Sequence, residues 1–316
     1  MFNEIIGHRN QCLFLEKSMA ANRVAHAYLF LGPARVGKMA LARAFAQTFL
    51  ATVGAAARSL EVNPDVTVVT RLVDEKTDAL RGGTSVEQIR ELRERLSYSS
   101  LLPSGKFAIV ADAHTMTTEA ANALLKTLEE PRGRTVMVLI ASDLRTIPET
   151  VRSRCQLIRF GLVPRRELED GLVKRGVVAR DAERFSLIAR GRPGVAIGFH
   201  TNPDAFAELT AVIDERAALR SKPLYDQLAW VEERSKQWNH DRVHEEFSLW
   251  RELLRDELLD ALHLPQLKGI TPSTRAMAGK ADIAHVIRHM HRLAESEQAI
   301  RHHGDGRLAL EHVLIS

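Results

Sequence analysis

The sequence predicts an α/β protein of nucleotide-binding type, a parallel sheet with helices on both faces, followed by a long all-helical region. Three observations predict it. Residues 106–160 set two short apolar runs, Lys106–Asp112 and Thr135–Ser142, on either side of the helix-period segment Glu119–Pro131, and then reach the basic tripeptide Ser153-Arg154-Cys155. The apolar run Ala27–Leu31 leads into the glycine-containing loop Gly32-Pro-Ala-Arg-Val-Gly-Lys38, after which Ala40, Leu41, Ala44, Phe45 and Phe49 recur at helical spacing. Beyond about residue 208 the pattern is helical throughout.

Residues 5–26 read as a helix opened near Gly7, with Cys12, Leu13, Leu15 and Met19 on its apolar side. Ala27–Leu31 is a short buried strand. Strand, glycine-containing loop and helix is the context that makes a P-loop match credible. In such a loop the backbone at Gly32 and Gly37 wraps phosphate oxygens at a helix N-terminus, and the Lys38 ammonium reaches the outer phosphates. The match has a defect. The position after the lysine should carry a hydroxyl for Mg²⁺, and here it is Met39, which has no oxygen to offer. Arg35 adds bulk and charge where a third glycine is common. The loop is read either as a degenerate ATP or ADP site, with hydrolysis disfavoured, or as a vestigial turn kept for strand-to-helix packing.

The pattern weakens from Ala51 to Ser85: Ala55–Ala57 extends the preceding helix, Asn63-Pro-Asp65 is a turn, Val66–Val69 a strand and Arg81–Ser85 a loop. Ser85 caps a helix carrying Ile89, Leu92 and Leu96, and Pro103-Ser-Gly105 is the next turn. In a hydrolysing site, the strand Phe107–Val110 would end on a metal-positioning Asp and a water-activating Glu. The residues present are Ala111-Asp112. With Val110 as the last strand residue, the metal position is Ala111 and the base position Asp112; shifted by one, Asp112 is the metal ligand and Ala113 the missing base. Either register lacks one carboxylate, and Asp112 also reads as a cap or a surface acid.

Ala120, Leu124 and Leu128, with Ala121 and Leu125, form the apolar face of the next helix, which Pro131 ends. Ser142 closes the following strand, either as a phosphate sensor or as an ordinary strand-end serine. Arg154 sits at the edge of the sheet. An arginine supplied across a subunit interface stabilises charge on a transferring phosphoryl group, an effect worth about 10³–10⁵ in rate; taken alone, an exposed arginine is a solvated charge.

At 316 residues the chain accommodates two or three domains, and 45% hydrophobic with 27% charged residues is ordinary globular composition. No apolar run approaches the roughly 20 residues of a membrane span. The opening Met1-Phe-Asn-Glu carries no secretory pattern, so the expected place is the cytoplasm. Cys12 and Cys155 are the two cysteines, without a CxxC, which argues against a disulfide scaffold or cysteine-ligated zinc. The formal charge of +4 is spread among acidic residues, as a mixed solvated surface would have it.

Glu119-Ala-Ala-Asn-Ala-Leu-Leu-Lys-Thr-Leu-Glu-Glu-Pro131 with Ser153-Arg154-Cys155-Gln156 resembles the bacterial clamp-loader branch of the AAA+ ATPases, and within it the non-hydrolysing subunit of DNA polymerase III. His26–Phe30, Asn63–Asp65, Val86–Leu92 and the tail Arg307–Glu311 are similar to further motifs of that branch. The resemblance is dense over residues 5–160, moderate to about 200 and thin until the final helix. It implies an AAA+ α/β domain over 1–162, a small helical lid over 163–207 and a helical collar over 208–316. It implies a stator in a hetero-oligomer with motor (gamma/tau) and clamp-opening (delta) subunits, which together place a sliding clamp on primed DNA. In that setting Arg154 completes a neighbour's ATP site, while Ser153 and Cys155 hold its loop. Motor subunits carry a hydroxyl, an Asp-Glu pair and a lid arginine; the corresponding positions here are Met39, Ala111-Asp112 and, within Ala189–Gly194, a glycine with Arg192 close by. Relatives often hold zinc after the P-loop helix. Residues 51–65 contain no cysteine, so no zinc is expected and no cofactor is required.

Pro164–Val177 and Arg180–Arg190 read as helices, the second ended by Gly191 and Pro193, with a third opening at Pro193-Gly194. Leu209–Leu219, Leu224–Ser235, Val243–Leu262 and Ile283–Arg301 follow, interrupted at Gly269–Ser273. His285, His289 and His302-His303 lack the acidic partners of a metal motif and are expected at a surface or interface. Trp230, Trp238 and Trp250 are expected to be core or interface anchors and not a base-stacking platform.

Overall fold

The computed structural model describes residues 2–51, 60, 63–72, 83–98, 105–236, 238, 240–264, 268–269, 282–301 and 304–315. It divides into two compact units, Met1–Ile197 and Gly198–Ser316. The expected extension at Ala55–Ala57, residues 81–82 and 103–104 of the loops at Arg81–Ser85 and Pro103–Gly105, the Gly269–Ser273 break beyond Gly269, and His302-His303 lie outside the described residues.

In the first unit, β1 (Ala27–Leu31), β2 (Val66–Val69), β3 (Lys106–Val110), β4 (Thr135–Ala141) and β5 (Gln156–Arg159) form one parallel sheet in the order β2-β3-β4-β1-β5. β1, β3 and β4 are buried along their whole length, as befits strands covered on both faces. Alternation of side chains sends Tyr28, Phe30, Phe107, Ile109, Val136, Val138 and Ile140 to one face. There they meet α1 (Arg9–Ala20) and α2 (Lys38–Ala51), with Phe45 edge-on to Phe107 at 5.3 Å. The other face carries Leu29, Ala108, Val110, Met137 and Leu139 against α3 (Val86–Ser97), α4 (Thr118–Glu129) and α5 (Glu149–Arg152). This is the expected α/β fold with helices on both faces.

The local signals account for the helix starts. Ser85 and Gln88 form a reciprocal capping box at α3, and the Thr117 hydroxyl accepts from the Ala120 amide at α4. Two expectations are corrected. The first helix runs only from Arg9 to Ala20, because the chain turns at Ala21 and at Asn22, whose φ is positive. β5 is a fifth strand that the apolar pattern had not singled out; its exposed Gln156 and Arg159 mark a sheet edge.

After the sheet come α6 (Arg165–Lys174), α7 (Ala179–Ala189) and α8 (Pro193–Thr201), within which the two units divide. The second unit continues with α9 (Pro203–Leu219), α10 (Leu224–Ser235), α11 (His240–Ala261), α12 (Ile283–Arg301) and α13 (Gly306–Leu314). Phe247, Trp250, Leu254, Leu293 and Leu310 build its core. Trp250 is fully buried and its indole N–H donates to Glu246 at 2.9 Å, so it serves as a core anchor. The histidines depart from expectation. His289 is buried, edge-on to His285 at 4.3 Å, and burial followed by the Arg220 charge lowers it to about 4, which keeps the ring neutral.

A buried ion pair ties α9 to α11: Arg216 meets Glu246 through two hydrogen bonds of 3.0 and 3.1 Å and lies 4.4 Å from the Trp230 ring centre. Glu246→Ala takes away both hydrogen bonds that the buried Arg216 makes to α11, leaving it the adjacent Glu215 at 2.5 Å, and removes the acceptor of Trp250. It should cost the second unit about 3 kcal/mol, read by urea unfolding followed through tryptophan fluorescence. All three tryptophans lie in this unit.

Candidate functional site

Because all strands are parallel, the carboxyl ends of β1, β3 and β4 share one edge of the sheet, the edge where open α/β folds bind ligands. The Gly32–Gly37 loop leaves β1 there. Gly32 is bound to the sheet through its amide and the Ala141 carbonyl (3.1 Å), and a Cβ on it would fall 2.2 Å from the Phe160 carbonyl oxygen. Only glycine permits that approach. Arg35 holds a left-handed conformation, φ 60°, which accounts for the glycine preference at its position.

Lys38 opens α2 but is turned inward. It is 6% exposed, and its ammonium donates to the carbonyls of Gly32 and, at 2.6 Å, Pro33. Burial lowers it from the ordinary 10.5 to about 8, opposed by the Asp112 carboxylate. Met39 packs against the core beneath the loop. Two residues from distant segments complete the enclosure. His8 Nε2 lies 2.7 Å from the Val36 carbonyl, and the Gly194 amide, in the first turn of α8, donates to the Arg35 carbonyl at 2.9 Å. A Cβ at Gly194 would already stand 3.0 Å from that oxygen.

β3 ends at Val110, the register that leaves Ala111 where a metal-positioning carboxylate would stand. Ala111 is buried and its amide continues the ladder to Val69 at 2.8 Å. Asp112 follows in a left-handed turn; its side chain makes no cap hydrogen bond and acts instead on Lys38 and His114 through its charge. Ser142 is exposed directly after β4, next to Gly32 in the sheet. With Met39 and Ala111 at the two metal positions, these residues do not fit a Mg²⁺ ion. Among the described residues no group of three or more His, Cys, Asp or Glu is placed to hold a metal. Much of residues 51–65 lies outside them.

Arg154 belongs to the opposite edge. It precedes β5, whose first residue, Gln156, pairs with Tyr28, and from Tyr28 to Gly32 the sheet extends about 13 Å at roughly 3.3 Å per residue. Arg154 is thus held away from its own loop. Its guanidinium donates to the Thr150 carbonyl at 2.9 Å and the Ser153 hydroxyl at 3.3 Å and pairs with Glu129 of α4 at 2.6 Å, while about a third of the side chain stays exposed. Cys155 packs into the core and burial pushes its thiol up to about 12, so it anchors the turn as an inert thiol.

Sequence reasoning missed His8, His114 and Glu129. His114 is brought by its turn near Asp112, Lys38, Arg71 and Asp143, and its Nδ1 is buried without a hydrogen-bond partner among the described residues. No periodicity marks a residue whose part is set by contacts across the fold. Glu129 carried a weak signal, an acid in the last turn of a helix, where it opposes the helix dipole.

Strand order, loop and two-faced helix layering define the first unit as an AAA+ fold. Residues 7–163 match the family model described as "DNA polymerase III, delta subunit". The chain is 32% identical over 206 residues to a DNA polymerase III subunit gamma/tau of Mycobacterium tuberculosis, covering 61% of this chain and 35% of that one. It is 32% identical over 210 residues to the subunit delta' of Bacillus subtilis, covering 63% and 60%. A gamma subunit-related protein of Thermotoga maritima superposes over 95% of this chain and 97% of its own, with a TM-score of 0.48 at 19% identity. Over residues 7–163, just under half of its length, the chain is similar to clamp-loader subunits of DNA polymerase III. Its match spans about a third of the gamma/tau relatives.

Between pH 8 and 10.5 the folded chain holds Lys38 neutral while the unfolded chain keeps it protonated, so this residue's contribution to stability rises with pH across that window. Urea unfolding of the parent and of Lys38→Met should show the difference in unfolding free energy moving in the parent's favour from pH 8 to about pH 10. A constant difference would mean the amine is not held in this buried state.

Proposed function

We propose that this chain is a delta-prime-type stator of the DNA polymerase III clamp loader, which hydrolyses no ATP itself and supplies Arg154 to the ATP site of an adjacent motor subunit. The observation that carries the reading is the separation of the two halves of a hydrolytic site. The loop at one sheet edge lacks a hydroxyl at Met39 and a carboxylate at Ala111, while Arg154 is held at the other edge, out of reach of that loop.

In this reading the partners are the motor (gamma/tau) and clamp-opening (delta) subunits, the sliding clamp and, through the assembly, primed DNA, in the cytoplasm. Residues 1–162 form the AAA+ domain, 163–207 a lid and 208–316 a collar whose helices pack with those of neighbouring subunits. Gly32, Gly37 and Lys38 keep the shape of a nucleotide loop, and no metal or other cofactor is required. Among the described residues no helix is long and apolar enough to cross a membrane.

A second reading, an ATP-hydrolysing motor of the same family, draws on the equal 32% identity to the gamma/tau relatives. It predicts turnover by the isolated chain. We expect none, and expect Met39→Thr alone to leave it at zero because Ala111 still offers no carboxylate; ATP hydrolysis by either protein would favour the motor.

The stator reading is tested in a complex reconstituted with the motor and clamp-opening subunits of the same organism. Arg154→Ala should slow hydrolysis at the site it completes by about 10²-fold or more and impair clamp loading on primed DNA. Unchanged single-turnover hydrolysis and loading would rule out the trans arginine.

A further inference from the structure

Glu129 is the last residue of α4, and Glu130 is its C-cap. A carboxylate there meets the negative end of the helix dipole, so the helix itself gains nothing from it. Departures of this kind from local preference are retained at functional sites. What Glu129 does touch is Arg154: one Oε lies 2.6 Å from the guanidinium Nη2.

The guanidinium is held in two ways. Nη1 donates to the Thr150 carbonyl at 2.9 Å and to the Ser153 hydroxyl at 3.3 Å, both within the turn that carries the arginine. These partners are neutral and fix direction. Glu129 comes from a different element and is charged, so it neutralises the guanidinium and takes one of the donors that a planar fork offers to a phosphate. Both side chains are partly exposed, 36% for Arg154 and 47% for Glu129, so the pair is weak and solvent-screened, and a dianionic phosphoryl group can displace it.

We propose that Glu129 is a positioning residue that restrains Arg154: it holds the guanidinium in an outward-facing, charge-compensated state until a neighbour's phosphate competes it away, while Thr150 and Ser153 keep it aimed. This rests on the trans-arginine reading above and adds an intrachain restraint to it. The arginine is then available in proportion to the breaking of one ion pair.

The test uses the reconstituted complex without DNA and single-turnover ATP hydrolysis, with the parent, Glu129→Gln, Arg154→Ala and the double variant. Glu129→Gln should raise hydrolysis about two- to fivefold, the range a partly exposed ion pair supports, with no loss of thermal stability because a helix-terminal acid has been removed. In the Arg154→Ala background the same substitution should change nothing, since the effect acts only through the arginine. A rate that is unchanged or lowered by Glu129→Gln, beside a strongly impaired Arg154→Ala, would overturn the restraint alone. A rise that persists without Arg154 would likewise overturn it. If Arg154→Ala itself is without effect, the trans-arginine reading fails and the restraint fails with it.

Discussion

A sheet in which every strand points the same way has two chemically different edges, and the arrangement of this chain follows from that constraint. At the carboxyl edge the backbone leaves the sheet into loops and helix N-termini, where the Gly32–Gly37 loop, Asp112 and Ser142 gather. At the amino edge the chain arrives from helices, and Arg154 is delivered there by the turn after α5. The Gly32–Gly37 loop and Arg154 therefore stand at opposite ends of the same sheet, about 13 Å of strand apart.

At the carboxyl edge the loop is held by the chain's own groups. Lys38, which in a working loop meets phosphate, meets the carbonyls of Gly32 and Pro33, and its lowered pKa reflects the burial that results. Met39 turns a metal-ligand position into core. Gly194 and His8 reach the loop from α8 and from before α1, each meeting a loop carbonyl. The loop thus retains its glycines for backbone reasons that do not depend on nucleotide: Gly32 is required by the Phe160 carbonyl alone.

Much of this was legible from residues in order. The strands β1 and β2, the Ser85 cap, the apolar face of α4 and the helices α10 and α12 follow from periodicity and capping chemistry, which are local. Less legible were features decided by neighbours far along the chain. β5 is four residues long with two exposed, too short for its alternation to stand out. His289 looked like an exposed member of a histidine row, but the packing of α12 turns that side of the helix inward, and burial keeps it neutral. The end of β3 could be drawn at two registers until pairing with β4 set Val110 as its last residue.

By itself the sequence determined which chemistry was absent: a methionine has no metal-binding oxygen and an alanine no carboxylate wherever the fold puts them. It also determined the strand-loop-helix order that makes an AAA+ core, since hydrophobic period and turn residues act over a few positions. Only the tertiary structure decided that Lys38 turns inward, that Gly194 sits on the loop, and that Glu129, some 25 residues before Arg154, is its ion partner. The last two contacts join segments remote in sequence, and the first depends on how the loop is packed; no local periodicity records which polar groups the packed sheet will bring face to face.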